Sequence, residues 1–220
     1  MSSETEKLIE MSQADKDQAR EILWNEAKKC ALACQACPLA ATRTQVVFGD
    51  GDPHSKLLFI GEGPGADEDA QGIPFVGKAG QLLTQILKSV QIDRKDIYIT
   101  NIVKCRPPEN RVPAPEEAMA CAKHLQTQIM LMDPILIVLL GNTPARWILN
   151  TSSGITKIRG KWFDWRGRYA MPMFHPSYLL RNASSKEGSP KHLTWLDIQE
   201  VKKQWDAVRA TGKPDGLIFG

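Results

Sequence analysis

The segment that most restricts the fold is GEGPGADEDAQGIPFVGK at residues 61–78, which follows an apolar run and precedes an amphipathic one. Strand, glycine-rich turn and helix in this order place flexible backbone at the carboxyl end of a buried strand, where open α/β sheets bind ligands. The turn matches only part of the dinucleotide fingerprint, and its carboxylates would repel a pyrophosphate. We therefore expect a pocket for a small, neutral, planar or hydroxylated group, and a Rossmann-type glycine turn is the alternative.

Buried parallel strands are indicated by four short apolar runs, at residues 57–60, 97–103, 135–140 and 170–174. Helical periodicity fills the intervals between them. Alternating strands and helices predict an α/β protein whose parallel sheet is covered on both faces.

Three parts of the chain are expected. Residues 1–30 form an N-terminal extension, partly helical, with an apolar stripe at Ile22, Leu23, Ala27 and Cys30. Residues 31–210 form a single domain, and residues 211–220 form a loose C-terminal tail. The tail ends in DGLIFG, which is faintly similar to peptides that dock on sliding clamps and so predicts a weak clamp contact.

The 220 residues carry a net charge of only +3, so no global field identifies a nucleic-acid partner. Basic and aromatic side chains nevertheless alternate at residues 157–168 (KIRGKWFDWRGR). Two interpretations stay open: a surface that contacts phosphates and stacks on bases, or a hairpin with its aromatic rings in the core. No membrane-spanning run or signal peptide is present, which predicts a cytoplasmic protein without structural disulfides.

Cysteines form a second pattern. Cys34 and Cys37 make a CxxC pair, Cys105 follows the second predicted strand, and Cys121 lies in a helix. Four thiolates suit zinc or an iron–sulfur cluster, and spacing does not separate these two from redox thiols. In the simplest alternative, Cys121 is a buried helix thiol and Cys105 is incidental. Cys30 is expected to pack on the apolar stripe.

A further turn-rich loop opens at His175, again directly after an apolar strand. Its apolar residues Tyr178, Leu179 and Leu180 are flanked by basic ones, which is typical of a wedge that enters a DNA duplex. His175 lies where a ligand is expected, at the carboxyl end of a strand.

Several long motifs together resemble the family 4 uracil-DNA glycosylases: GEGPGADEDAQGIPFVGKAGQLL, YITNIVKCRPP, MFHPSYLLRN and GSPKHLTWLDIQEV. The resemblance runs in order from about residue 34 to 201. It implies a three-layer α/β/α fold with a central four-stranded parallel sheet. It also implies a [4Fe-4S] cluster on Cys34, Cys37, Cys105 and Cys121.

The resemblance further implies hydrolysis of the N-glycosidic bond of deoxyuridine in DNA. We expect the DNA to be double- or single-stranded and the protein to be a monomer. Asn101 would read the flipped base and His175 would donate to its O2 atom. Glu62 would help to position water, beside Gly63, where some relatives carry an aspartate. The remaining expected contacts are Phe75 stacking on the ring, Glu68 excluding the thymine methyl, and Arg111, Tyr178, Leu179, Leu180 and Arg181 binding DNA.

Three other functions are compatible with these residues. A non-catalytic iron–sulfur module would bind DNA without releasing a base. A relative with shifted chemistry would accept other bases or capture the abasic sugar covalently. Electron transfer through the cluster alone would leave the long loops around the pocket without a purpose.

Overall fold

The computed structural model of the chain describes residues 12–182 and 184–217. Its α-helices are α1 to α8 in chain order: Gln13–Leu32, Ala66–Gln71, Lys78–Ser89, Pro115–Met132, Asn142–Leu149, Ile155–Ile158, Pro176–Arg181 and Pro190–Thr211. Its strands are β1 to β6: Asp50–Gly51, Leu57–Gly61, Tyr98–Asn101, Leu136–Leu140, Phe163–Trp165 and Arg168–Met173. Short 3₁₀ turns at Pro38–Ala41, Arg94–Asp96 and Pro108–Asn110 join them.

The described strands form one sheet in the order β1-β3-β2-β4-β6-β5. The four central strands are parallel, as the registers of β2 with β3, β2 with β4 and β4 with β6 show. The predicted four-stranded parallel sheet is therefore confirmed. Two short antiparallel strands, β1 and β5, extend it at its edges.

Alternate residues of each central strand face opposite helical layers, so the sheet has two cores. Leu57 and Phe59 pack with α3 and α8, whereas Leu58 and Ile60 pack with α4, α5 and α7. All residues of β2 and β4 are buried, which explains their continuous apolar runs. The fold is a three-layer α/β/α sandwich.

Helix α1 begins with a capping box in which Ser12 and Asp15 satisfy each other's backbone N–H groups. Its contact with the core is made by Trp24, whose ring meets Phe48 and Tyr98 edge-on. The expected stripe does not pack, because Ile22 and Leu23 are more than half exposed and Cys30 is exposed as well. The boundary at residue 31 stays a prediction, and residues 1–11 lie outside the described part of the chain.

The basic and aromatic stretch at residues 157–168 starts at the end of α6 and leads into the β5–β6 hairpin, of which it contains β5, the turn and the first residue of β6. Trp162 is buried, and its Nε1 donates to Glu200 at 3.2 Å. The turn precedes β6 and so lies at the amino end of the parallel sheet, opposite the edge where ligands are expected. The hairpin interpretation holds for this stretch. Within the described residues, no helix is long and apolar enough to cross a membrane.

Candidate active site

A crevice opens at the carboxyl ends of the parallel strands because the chain leaves neighbouring strands toward opposite layers. The connection after β2 runs to α3 on one face, and those after β3 and β4 run to α4 and α5 on the other. Such a switch point is where open α/β sheets bind ligands. A cavity of about 310 Å³ lies there, and its walls include Glu62, Gly63, Glu68, Phe75, Asn101, Arg111, His175 and Ser177.

Asn101 ends β3 and is only 1% exposed. Its Oδ1 atom is buried and accepts no hydrogen bond from any described residue. Gly61 lies opposite it in the parallel ladder, and a Cβ atom at Gly61 would stand 2.3 Å from this Oδ1 and 2.5 Å from the Phe75 ring. The glycine thus leaves room for an amide oxygen and an aromatic face to approach each other.

Phe75 is held in a strained conformation. Its φ is +54°, a left-handed value that costs a bulky residue roughly 1–3 kcal/mol. Arg94 holds the backbone there by donating to the carbonyl oxygens of Phe75, at 2.7 Å, and of Pro74. Gly80 of α3 is packed so closely that a Cβ would lie 1.9 Å from the Phe75 carbonyl. The surrounding structure therefore fixes the ring in the cavity wall.

His175 is the N-cap of α7, and this geometry assigns its tautomer. Its Nδ1 accepts the Ser177 N–H at 3.1 Å and lies 2.8 Å from the Ser177 hydroxyl. In the neutral ring the proton is therefore on Nε2. Burial, with a smaller effect from Arg181, lowers the pKa of His175 to about 4, so the ring is neutral at pH 7. Its centroid lies 5.7 Å from that of Phe75.

Two carboxylates of the first loop are fixed in different ways. Glu62 accepts a hydrogen bond from the Thr143 hydroxyl through Oε2. Glu68 accepts three backbone N–H bonds: from Gly65 at 3.0 Å, and from Val76 and Gly77 at 2.9 Å each. Glu68 is thus a rigid brace between the two ends of the loop, whereas Glu62 keeps one oxygen for other contacts.

Comparison with known proteins identifies the family of this chain. A family model of the uracil DNA glycosylase superfamily matches residues 48–199. A type-4 uracil-DNA glycosylase of Thermotoga maritima is 47% identical over 199 residues, which cover 90% of this chain and 98% of that protein. Another, of Saccharolobus solfataricus, is 37% identical, with 91% of this chain and 92% of that protein covered.

A type-5 uracil-DNA glycosylase of Thermus thermophilus is more distant, being 32% identical over 48% of this chain and 62% of its own length. The chain belongs to the type-4 uracil-DNA glycosylases. The predicted family is therefore confirmed.

The residues expected to bind DNA differ in their exposure in this type-4 family member. Leu180 is 47% exposed, but Leu179 is 1% exposed and packs in the core. Leu179 is therefore not available to DNA in this structure, because the helical turn directs it inward. Tyr178 and Arg181 line a second cavity beside the first. Arg111 lines the first cavity while its guanidinium binds both oxygens of Glu117, at 2.6 and 2.8 Å.

The four motif cysteines line one small cavity of about 10 Å³, together with Arg43 and Lys104. Two sulfurs accept N–H groups at 3.3 Å: Cys105 from Arg43 and Cys121 from the Lys104 backbone. Burial raises the pKa of the Cys105 thiol to about 11. As the described side chains stand, no three His, Cys, Asp or Glu residues hold metal-binding geometry. The donor set nevertheless fits a tetrathiolate centre, either zinc or a [4Fe-4S] cluster.

Cys30 is exposed and does not line this cavity. Its expected packing on an apolar stripe is wrong, because α1 turns Trp24 toward the core instead. Its absence from the cysteine cavity makes it a natural control for experiments on the other four.

Lys104 is a buried residue that the sequence analysis missed. Its Nζ donates to the Asn101 carbonyl at 2.9 Å and to Thr100 Oγ1 and Gln128 Oε1 at 2.6 Å each. Burial lowers the pKa of Lys104 to about 7. The Lys104 side chain thus connects the cysteine cavity to the backbone of Asn101, which lines the pocket. A lysine directly after the apolar run ending at Val103 was the available signal.

Proposed function

We propose that this protein removes uracil from DNA by hydrolysing its N-glycosidic bond and leaving an abasic site. One observation carries the proposal: Asn101 and the Phe75 ring line the same cavity, and the buried amide oxygen of Asn101 has no donor among the described residues. A buried acceptor without a partner costs about 1–3 kcal/mol. A ligand with an N–H group at its edge and a flat face would remove that cost.

Uracil has these features once it leaves the base stack, which is necessary because its glycosidic bond is inaccessible in a duplex. Its N3–H donates to Asn101 Oδ1, and its O4 accepts from the Asn101 amide nitrogen. Cytosine presents an acceptor at N3, so the same amide would meet a repulsive partner. Phe75 lies against the ring, and its fixed backbone keeps this surface in place.

Thymine is excluded at its 5-methyl group by Glu68 and the loop that it braces. Three backbone N–H groups hold its carboxylate, so moving it aside would leave buried donors unsatisfied. A rigid clash is the appropriate means for rejecting a larger analogue. Gly63 brings the loop backbone to the cavity wall, where a Cβ would come within 2.8 Å of Val103.

Bond cleavage gives a sugar with oxocarbenium character and a uracil anion. The neutral His175 donates from Nε2 to uracil O2, where charge develops; such preorganised donors are worth roughly 3–4 kcal/mol. Glu62, held by Thr143, orients water toward C1′. The N1–C1′ bond breaks, the water oxygen bonds to C1′ and releases its proton, and the uracil anion is protonated from solvent.

Cys34, Cys37, Cys105 and Cys121 would hold a [4Fe-4S] cluster, as the family resemblance implies. When bound, the cluster supplies a structural cross-link, and hydrolysis requires no electron transfer from it. It would join the turn that follows α1 to both ends of the segment at residues 105–121, which presents Arg111 beside the pocket. The donor set and its two N–H···S bonds support this assignment.

Iron content tests the cluster. Cys121→Ser should lose most of the bound iron and the visible absorbance of protein purified without oxygen. Cys30→Ser is the matched control and should retain both, because Cys30 lies outside the cysteine cavity. One zinc ion and no iron in the unmodified protein would overturn the assignment.

The other expected properties follow from the same proposal: a cytoplasmic monomer that acts on uracil in double- or single-stranded DNA. The clamp contact through the tail stays a prediction, since residues 218–220 lie outside the described part of the chain.

The decisive experiment measures release of free uracil, and alkali-sensitive breaks, from a labelled oligonucleotide with one uracil. Otherwise identical oligonucleotides with thymine or cytosine are the controls. Uracil-dependent release that disappears in Asn101→Ala is the expected result. A protein with a complete cluster that binds DNA but releases no uracil would be a non-catalytic DNA-binding module instead.

A further inference from the structure

A second cavity of about 650 Å³ adjoins the uracil pocket and shares Glu62, His175 and Ser177 with it. Tyr178 and Arg181 of α7 line this cavity, and so does Val112, which lies in the segment between the two buried cysteines. The cavity is therefore a groove beside the pocket, and two segments far apart in the chain contribute to it.

Val112 is 61% exposed, although it is apolar and lies in a polar, proline-rich segment. It is also fixed in place. Arg111 donates to the Val112 carbonyl at 3.1 Å while binding both oxygens of Glu117, and Pro113, directly after it, is buried. The side chain is thus an apolar tip on a rigid support.

Helix α7, whose Tyr178 and Arg181 line the groove, also carries an exposed apolar side chain, Leu180, directly before Arg181. Among the described residues that line the groove, Arg146 and Arg181 are the cations and Glu62 is the one carboxylate. Cations suit phosphates, and apolar tips suit the gap in a base stack from which a nucleotide has been extruded.

We propose that Val112 is a second apolar wedge, which enters the duplex in addition to Leu180 and stabilises the state with uracil flipped out. This inference rests on the proposed function. Both wedges prevent the flipped base from returning to the stack. Flipping a base out costs a few kcal/mol of unstacking and unpairing, and this cost is smallest at a mismatch. Val112 should therefore matter most for U·A pairs, less for U·G pairs, and not for single-stranded DNA.

The test is single-turnover uracil release by Val112→Ala, Leu180→Ala and the double variant. The substrates are U·A duplex, U·G duplex and single strands of the same sequence. We expect Val112→Ala to be about tenfold slower on U·A, a few-fold slower on U·G, and within about twofold of the unmodified protein on single strands. Val112→Leu retains an apolar tip, so its rate on duplexes should stay close to that of the unmodified protein.

Met119→Ala is the matched control, because Met119 is equally exposed at 62% on the neighbouring helix but lines neither cavity. It should leave all three rates unchanged. Because Val112 is exposed, its variants should fold, and matching unfolding midpoints would verify this.

Equal slowing on duplex and single-stranded DNA would overturn the wedge, as would an unchanged rate of Val112→Ala on U·A. An unmodified protein that releases uracil from no substrate would instead overturn the proposed function, and this inference with it.

Discussion

Asn101 and Cys105 are four residues apart, yet the hydrogen bonding of polar groups differs between the two sites to which they belong. In the pocket, Asn101 Oδ1 is buried without a donor among the described residues, and Phe75 is held at a positive φ. In the cysteine cavity, Cys105 and Cys121 accept N–H groups. Beside it, the Lys104 ammonium makes three hydrogen bonds.

This difference indicates that the pocket residues bind a ligand, whereas the residues around Lys104 support the structure. A missing hydrogen bond and a strained residue each lower the stability of the free protein by about 1–3 kcal/mol. A ligand that supplies the missing donor recovers part of that energy as affinity. Around Lys104, by contrast, the ammonium group is hydrogen-bonded to three oxygen atoms, one of which is the Asn101 carbonyl. These bonds hold the Asn101 backbone in position. Changes on the pocket side should therefore affect catalysis, and changes on the Lys104 side should affect stability.

The largest effect is expected for Asn101→Ala, which removes the amide that is proposed to bind the edge of the base. Uracil release should slow by roughly 10²–10³-fold. The free energy of unfolding should not decrease, because the variant removes a buried acceptor that has no donor among the described residues. Single-turnover rates and urea unfolding measure the two quantities.

Thr100→Val, at the adjacent position, is the contrasting control. Thr100 is buried, and its hydroxyl donates to the Phe48 carbonyl at 2.8 Å. The variant should lose stability and keep its rate of uracil release. The comparison fails if both variants change the same property.

His175→Gln tests the pocket through pH. The pKa of His175 is lowered from 6.5 to about 4, so between these values the unfolded chain binds a proton that the folded protein does not. The free energy of unfolding should fall as pH drops through this window, by up to about 3 kcal/mol. The variant should show a shallower fall in urea experiments between pH 7 and pH 4. Parallel curves would show that His175 is not the group that titrates.

Lys104→Met tests the supporting side. Three oxygen atoms lose a shared donor, so the free energy of unfolding should decrease by about 1–3 kcal/mol. Lys202→Met is the control, since Lys202 pairs with Asp206 on the surface of α8, where such a pair is worth about 0.5 kcal/mol or less. If Lys104→Met were as stable as the unmodified protein, the buried ammonium would not be a support.

The smallest effect is expected for Thr143→Val, which removes the hydroxyl that donates to Glu62. A hydrogen bond worth about 1 kcal/mol predicts a kcat five- to tenfold lower with KM unchanged. Thr143→Ser retains the hydroxyl and should stay close to the unmodified rate. Equal losses in both variants would indicate a packing role for Thr143 instead.

Much of the fold was predictable because buried parallel strands are continuous apolar runs, and β2 and β4 lie where the runs at residues 57–60 and 135–140 indicated. The first helix was placed correctly, but its packed face was not, because Trp24 contacts the core where the Leu23 stripe was expected. The strand Asp50–Gly51 is too short to leave a periodic pattern. It was also not predictable which leucine of α7 is exposed, since the adjacent residues Leu179 and Leu180 are chemically identical.

The sequence by itself determined the order of strands and helices, and which chemical groups follow each strand: Glu62 after β2, Asn101 at the end of β3 and His175 after β6. Continuous apolar runs and turn residues carry this information locally. Only the tertiary structure decided that Asn101 Oδ1 lacks a donor among the described residues, that Lys104 joins the pocket to the cysteines, and that Val112 and α7 line the same groove. These features depend on contacts between residues far apart in the chain, for which no local pattern exists.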